Sequence, residues 1–310
     1  MGQWLAGLPG GQLLRQGYRW GQTLPHSENL RQLRQLLATP SLLILKHQAP
    51  QLATKALAPG LALGLSTENR LAILRHHYGS LAAQGCPNFF DRVLRGEILW
   101  QQLAGNSWLR IQLAYPNETD FEGELSFLFY VDDIRVAIVS CTCAPAGSLG
   151  RAAPAAVLVS RVQGTRHFAL YKLATKALYD TPPTAVLLHA VYGFAQALGY
   201  SAIMGVGETT QLSLARPSTN LIFANSSAAH QQQSGLAQPP GGFSHDHFWQ
   251  QFGATPTANG LVRLAFPPAE KPMASIPARH RSRNRRKRQF KHQLRTSIEE
   301  YVTQHLLTGA

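Results

Sequence analysis

The stretch Phe121-Glu-Gly-Glu-Leu-Ser-Phe-Leu-Phe-Tyr130 opens the segment that decides the fold, which runs from Asp120 to Val206. It predicts a β-strand, and Val131-Asp-Asp133 predicts a turn into a second strand from Arg135 to Cys143. A third strand is predicted for Ala156-Val-Leu-Val-Ser-Arg-Val-Gln163, since its β-branched residues favour a pleated surface. The segment therefore begins with consecutive strands.

The third strand leads into Gly164 and a helical pattern with Leu170, Leu173 and Ala177 at three- and four-residue spacings. The first N–H groups of a helix have no intrahelical partner, so such a junction can bind phosphate or another anion. A single Gln163-Gly164 pair is less specific than a glycine-rich fingerprint, and a structural turn is the alternative. The sequence contains no G-x-x-x-x-G-K-S/T motif, which argues against a nucleotide-hydrolysing P-loop.

The remainder of this segment predicts helix, helix and strand. Pro182-Pro183 ends the first helix because proline lacks an amide hydrogen. Ala185 to Leu198 predicts an apolar helix closed by Gly199, and Ser201 to Val206 predicts a buried strand. This order predicts an α/β (α+β) fold, a mixed and partly antiparallel sheet flanked by helices.

The flanking sequence predicts the domain organisation. Residues 1–65 form a helical N-terminal region, with a helix from Glu28 to Leu37, and residues 66–310 form the main domain with its core at about 120–265. A Ser/Gln/Gly/Pro-rich stretch at 226–242 predicts a flexible insertion. The last element is a basic C-terminal helix at 279–307.

Two further helices are predicted ahead of the strands. Ser66 provides an N-cap for the first, and the second runs from Asn88 to Leu103.

Composition limits the class of protein. Three cysteines, Cys86, Cys141 and Cys143, are too few for a disulfide framework, so a reducing cytoplasm is expected. The apolar stretch between Leu36 and Leu65 is broken by prolines and charges, so no transmembrane segment is predicted. At most, the chain is expected to be peripheral to the inner membrane. No metal site is expected.

The positive charge is concentrated near the C-terminus. Nine lysines and arginines lie between Arg279 and Arg295 with no acid among them, which leaves +4 of the net +13 for the rest of the chain. Such a cluster attracts polyanions, although a solvated helix face is the alternative. The candidate anion or nucleic-acid contacts are Arg283, Arg285, Arg286, Lys287 and Arg288. Five phosphate contacts predict a salt slope of roughly −4 to −5 for duplex nucleic acid.

The same region predicts a packed helix. Phe290, Leu294, Ile298, Val302 and Leu306 recur every four residues and form one apolar helical face.

Ordered motifs resemble the VirK/YbjX family over roughly residues 60–305. They are Arg75-His-His-Tyr78, Phe121 to Phe127, Val162-Gln-Gly164, Leu173 to Tyr179, Phe248-Trp249 with Gly253, and Ile276 to Arg286. The resemblance implies a bacterial protein associated with virulence and antimicrobial-peptide resistance, remotely similar to GNAT acyltransferases. The chain departs from the family pattern at Tyr179-Asp180, Pro182-Pro183 and the 226–242 insertion.

The GNAT resemblance implies an acyl- or aminoacyl-type transferase. The donor, an acyl-CoA or an aminoacyl-tRNA, would be held by Gln163, Gly164 and Lys176, and the acceptor would be a peptide, amino-sugar or lipid amine. The acceptor needs a base, for which Glu122, Glu124 and His77 are the candidates.

Each candidate base has an alternative reading. Asp120, Glu122 and Glu124 alternate along a predicted strand, where clustered carboxylates raise a pKa, but an exposed strand end is the alternative. His76 and His77 lie beside Arg75 and Tyr78 in a predicted helix, where a histidine is more often a structural residue than a base. Glu208, just after the strand that ends at Val206, is a further candidate.

The alternative function is a non-catalytic envelope-stress or virulence factor. It would bind anionic lipid at the membrane surface, or tRNA or other RNA, through its basic C-terminal segment.

Overall fold

The computed structural model describes residues 24–116, 121–151, 154–214 and 244–307. The α-helices are α1 (Ser27–Leu37), α2 (Leu43–Gln48), α3 (Leu52–Lys55), α4 (Thr67–Gln84), α5 (Phe89–Arg95), α6 (Phe168–Ala177), α7 (Pro183–Ala197), α8 (His245–Gln250) and α9 (Ala278–His305). The strands are β1 (Glu97–Ala104), β2 (Ser107–Ala114), β3 (Leu125–Val131), β4 (Ile134–Pro145), β5 (Ala155–Gly164), β6 (Ile203–Val206), β7 (Thr255–Pro256) and β8 (Leu261–Leu264). The predicted α/β class is confirmed.

All eight strands belong to one mixed sheet in the order β1-β2-β3-β4-β5-β6-β8-β7. Strands β1 to β5 form a run of antiparallel neighbours, and β8 pairs antiparallel with β6 and β7. Strands β5 and β6 are parallel. A parallel neighbour needs a long crossover, which α6 and α7 provide.

Tight turns produce the antiparallel run. Gly105 between β1 and β2 has a φ of 62°, and Asp132 between β3 and β4 has a φ of 53°. Both residues lie in the left-handed region that matches the twist of short hairpins. The Asp132 side chain also accepts a hydrogen bond from the backbone N–H of Trp108 at 2.8 Å, which connects the β3–β4 turn to the start of β2.

Helix α7 is the central helix of the core, and residues 183–195 are all buried. A helix that is apolar on every side must be covered on every side, and here β3, β4 and β5 contact it together with α9. Gly193 makes the close approach to α9 possible, since a Cβ at this position would lie 2.5 Å from the carbonyl oxygen of Arg295.

Helix α9 confirms the predicted apolar face. Its buried residues are Phe290, Leu294, Ile298 and Val302, and Leu306 is buried just beyond the helix end. The first three turns, which hold most of the arginines, are largely exposed. The helix is therefore anchored through its second half.

Two predicted element boundaries are wrong. The helix predicted from Asn88 to Leu103 ends at Arg95, because Gly96 takes a φ of 84° and β1 begins at Glu97. Residues 97–104 form β1 and pair with β2, although the local pattern predicted a helix there. The strand predicted from Phe121 begins only at Leu125.

Other predictions have different outcomes. The helix at Glu28 to Leu37 is confirmed as α1, and the Ser66 hydroxyl caps α4 by accepting from the N–H of Asn69 at 3.1 Å. Asp120, the 226–242 insertion and residues 1–23 lie outside the described residues. The domain boundaries remain a prediction.

Two helical glycines predict opposite effects on stability. We expect Gly193→Ala to lower the free energy of unfolding by about 1–3 kcal/mol, since the methyl group forces α7 and α9 apart. Gly79→Ala in α4 should raise it by about 0.5–1 kcal/mol, since the nearest atom lies 3.8 Å from the new Cβ. Urea unfolding measures both. Equal effects of the two substitutions would contradict this packing.

Candidate functional site

Strands β5 and β6 pair over a short distance, and β5 then extends beyond the end of β6 at Val206. Val157 to Val159 pair with Ile203 to Gly205, after which β5 continues to Gly164 beside β4. Ser160 forms a bulge, since Val159 and Arg161 face consecutive residues of β4, and a bulge bends its strand. Within the described residues, the β6-side edge of 160–164 has no paired strand.

Glu122 lies beside this edge and is held by several groups. Its carboxylate accepts from the Gln211 side-chain amide at 2.8 Å and from the Ser213 N–H at 3.2 Å. The Arg161 Nε lies 3.5 Å from the other carboxylate oxygen, and both side chains are about nine-tenths buried. Arg161 also donates to the Gln163 side-chain oxygen at 2.9 Å. The predicted base Glu122 and the predicted donor-binding Gln163 are therefore brought together through Arg161.

Two buried polar atoms, one on Gln211 and one on the sequence neighbour of Arg161, lack a hydrogen-bond partner among the described residues. They are the Ser160 hydroxyl and the Gln211 side-chain oxygen, on residues that are 1% exposed. A buried polar atom left without a partner costs about 1–3 kcal/mol. Such atoms are typical of places where a ligand or an ordered water completes the bonding.

A second group of polar side chains lies where the chain leaves β6. Asp246 accepts from the Glu208 N–H at 2.9 Å, and Ser244, the N-cap of α8, donates to the Glu208 carboxylate at 3.0 Å. Burial lowers the pKa of His245, the neighbouring charges of Glu208 and Asp246 raise it, and that of Arg161 lowers it. Glu208, a predicted candidate, therefore lies in a charged group with His245.

The predicted donor-binding residues do not all meet. Gly164 ends β5 and lies beneath the Tyr171 ring, which a Cβ would approach to 3.4 Å. Helix α6 begins at Phe168 with His167 as N-cap, so an exposed helix N-terminus follows Gly164 as expected. Lys176 is exposed at the opposite end of α6, about 12 Å along its axis.

Glu124, another predicted base, is fully buried in an ion pair. Its carboxylate lies 2.6 Å from the Lys55 ammonium and also accepts a hydrogen bond from the Tyr78 hydroxyl. Burial, followed by the charge of Glu124, raises the pKa of Tyr78 well above its usual value. The cluster joins α3, α4 and the start of β3.

Gly123 makes this arrangement possible. Its φ of 155° and a Cβ position 2.8 Å from the Ser140 side chain exclude a larger residue. Glu122 and Glu124, on either side of it, are thereby separated into different clusters.

His77 is also fully buried. Its Nδ1 accepts a hydrogen bond from the Cys143 N–H at 3.1 Å, so the proton of the neutral ring is on Nε2. Burial, with smaller effects from Lys55 and His76, lowers the pKa of His77 to about 3. The neighbouring His76 lies 3.0 Å from the Tyr200 hydroxyl.

The basic residues of α9 have different environments. Arg283 donates to the Asp180 carboxylate at 2.6 Å, and Lys287 donates to the Asp180 carbonyl at 2.9 Å. Arg288 pairs with Glu270 at 3.3 Å. Arg285 and Arg286 are exposed.

Sequence reasoning missed Arg161, Gln211 and His245. A signal existed for the first of these, because Ser160-Arg161 interrupts an apolar strand with two polar residues. Gln211 and His245 reach the site only through tertiary contacts.

The described ranges show neither a membrane-spanning helix nor a metal-binding cluster. Nowhere in them is there a helix long and apolar enough to cross a membrane. Nor do those ranges contain a group of histidine, cysteine and acidic side chains suited to hold a metal ion.

The buried ion pair predicts a large cost when one partner is removed. We expect Lys55→Met to lower the free energy of unfolding by about 3–5 kcal/mol, since it leaves a buried carboxylate without its counterion. Adding Glu124→Leu should recover most of this loss. Arg95→Met, which breaks an exposed pair with Asp91, serves as the control and should cost less than about 1 kcal/mol. Chemical denaturation of the four proteins, wild type included, provides the comparison.

His77 predicts a pH dependence of stability. Its folded-state pKa of about 3 lies below the ordinary value of 6.5, so the unfolded chain binds the proton first as pH falls. Stability present near pH 7 is therefore lost between about pH 6.5 and 3, by up to about 1.4 kcal/mol per pH unit. We expect His77→Asn, whose side-chain oxygen replaces Nδ1 as acceptor, to reduce this slope. Unfolding curves at a series of pH values test it, and an unchanged slope would exclude the assignment.

Comparisons with known proteins place the chain in a family. A family model described as "Protein of unknown function (DUF535)" matches residues 20–300. Comparisons with curated proteins and with solved structures found no match. The match covers far more than half of the sequence. The chain therefore belongs to the DUF535 family.

Proposed function

We propose that this protein is an acyl- or aminoacyl-type transferase whose donor binds where β5 extends beyond β6. The observation that carries the proposal is the β6-side edge of residues 160–164, which has no paired strand in the part of the chain that the structure describes, with the Ser160 hydroxyl at its start also without a partner there. An extended ligand can add to such an edge through backbone hydrogen bonds. The pantetheine arm of an acyl-CoA contains two amide groups and is suited to this mode.

The end of β5 supports the position of a donor phosphate. The strand leads through Gly164 to the N-terminus of α6, where the first backbone N–H groups favour an anion. Arg166 and His167 are exposed beside it and add basic groups. An acyl-CoA or an aminoacyl-tRNA would then enter along β5 with its anionic part at α6.

Glu122 is the best placed of the three predicted bases. It lies beside Arg161 on the part of β5 that extends beyond β6, whereas Glu124 is buried in an ion pair with Lys55 and His77 is buried beneath Cys143. Its carboxylate would accept the proton of the attacking amine, and Arg161 and Gln211 would orient it. The amine nitrogen forms a bond to the donor carbonyl carbon, and the thiol of CoA or the tRNA hydroxyl leaves.

The resemblance to the VirK/YbjX family supports this proposal, since that family is remotely similar to GNAT acyltransferases. The acceptor would be a peptide, amino-sugar or lipid amine, and the reaction would take place in the cytoplasm, with the protein peripheral to the inner membrane where the acceptor is a lipid.

The direct test is binding and transfer with the full chain. Calorimetry with acetyl-CoA, a long-chain acyl-CoA and charged tRNA should identify one donor that binds at micromolar strength or better. Mass spectrometry of a polyamine or peptide acceptor should then show the transferred group.

We expect Glu122→Gln to lower kcat by about 10²–10⁴-fold with little change in the KM for the donor, since it removes a base. Asp133→Asn, which changes an exposed carboxylate in a turn, is the matched control and should leave kcat unchanged. No binding by any of the three donors, or full activity of Glu122→Gln, would refute the proposed function.

A further inference from the structure

Helix α9 forms one side of a solvent-open groove of about 380 Å³. The lining residues from the helix are Arg285, Arg288, Gln289, His292 and Arg295, and those from the preceding segment are Glu270 and Met273. None of these residues belongs to the proposed donor site at residues 160–164.

The helical residues of the groove form one stripe. Successive residues of an α-helix turn by about 100°, so positions 285, 288, 292 and 295 fall within about 80° of arc. They extend over about 15 Å of helix axis. The buried face of α9, with Phe290 and Leu294, lies on another side of the helix. The stripe therefore lies outside the apolar face of the helix.

The charges of the groove are not balanced. Three guanidinium groups face Glu270, the one acidic side chain among the described lining residues. Glu270 lies 3.3 Å from Arg288, so its charge is already shared. An anion in the groove would offset the remaining positive charge.

The inner end of the stripe is held in place. Arg295 lies 3.2 Å from the Nδ1 of His189 in α7, and the His189 side chain is buried. Burial and the charges of Lys291, Arg295 and Lys287 lower the pKa of His189 well below its usual value. The ring is therefore neutral and accepts a hydrogen bond from Arg295, which fixes the direction of that guanidinium.

Lys291 reports the same excess of charge. Burial, together with the charges of Lys287, Arg295 and Arg288, lowers the pKa of Lys291 to about 8, while the charge of Glu270 acts to raise it. A bound anion would raise the pKa of Lys291, as the charge of Glu270 does.

We propose that this groove binds the phosphodiester backbone of a structured RNA, with Arg285, Arg288 and Arg295 as the phosphate ligands. Guanidinium groups bind phosphate oxygens through two parallel hydrogen bonds. The 15 Å stripe, as given by about 1.5 Å per residue, spans several phosphates of one strand.

The lining of the site favours RNA over a membrane surface. The groove is open to solvent and is lined mainly by charged and polar side chains, which suit a sugar–phosphate backbone. Met273 is the one apolar side chain among its described lining residues. Peripheral membrane binding adds buried apolar area to the electrostatic attraction, and the groove offers little of it.

The test is a salt titration of the full chain with a fluorescently labelled RNA duplex. Three phosphate contacts predict that log affinity falls against log salt with a slope near −3, at about 0.9 per contact. Arg285→Gln and Arg288→Gln should each reduce the slope by about 0.9 and the affinity several-fold. Arg286, a candidate contact from the sequence, does not line the groove and lies about 140° around the helix from the centre of the stripe. Arg286→Gln is therefore the matched control and should leave the slope unchanged.

Glu270→Gln tests the proposal through a gain of RNA affinity, which unfolding of the protein could not produce. Removing this carboxylate should strengthen RNA binding several-fold, because it lies among the three arginines. Binding of RNA should also raise the pKa of Lys291 in an NMR titration.

Three outcomes would overturn the proposal. They are equal effects of Arg285→Gln and Arg286→Gln, no gain from Glu270→Gln, and vesicles of phosphatidylglycerol that bind with the predicted variant dependence while RNA does not. The assay needs no donor or acceptor, so its failure is separate from failure of the proposed transferase.

Discussion

A buried carboxylate at the start of β3 is the interaction on which this arrangement depends. Glu124 is enclosed with Lys55 of α3 and Tyr78 of α4, so a helix near the N-terminus and the sheet share one desolvated ion pair. Such a pair contributes little net stability but is costly to break, which fixes the chain locally. Gly123, which has no room for a Cβ, connects this carboxylate to Glu122, whose own carboxylate accepts from Gln211 at the proposed site.

The crossover from β5 to β6 imposes a further constraint on the packing of the core. Helix α7 is apolar on all sides and must be covered by the sheet and by α9, which requires the close contact at Gly193. Strand β6 pairs with residues 157–159 of β5, and within the described residues no strand pairs with the same edge of residues 160–164. The proposed transfer chemistry is located at this edge.

The sequence by itself determined the elements whose signals are local. The four-residue repeat from Phe290 to Val302 predicted the buried face of α9, and the apolar run from Ala185 predicted α7. The β-branched residues of β5 predicted a strand, and Ser66 predicted a helix start. These succeed because periodicity, capping and β-branching act within a few residues of each other. The concentration of charge before Arg295 is local in the same sense.

The tertiary structure alone decided which of these residues meet. Residues 97–104 have helical neighbours in sequence and became a strand because β2 was there to pair with them. Glu122 and Glu124 look alike in sequence, yet one joins Arg161 and the other is enclosed with Lys55. His245 reaches Glu208 across many residues of chain. Burial and long-range pairing set these outcomes, and neither is encoded in the spacing of neighbouring residues.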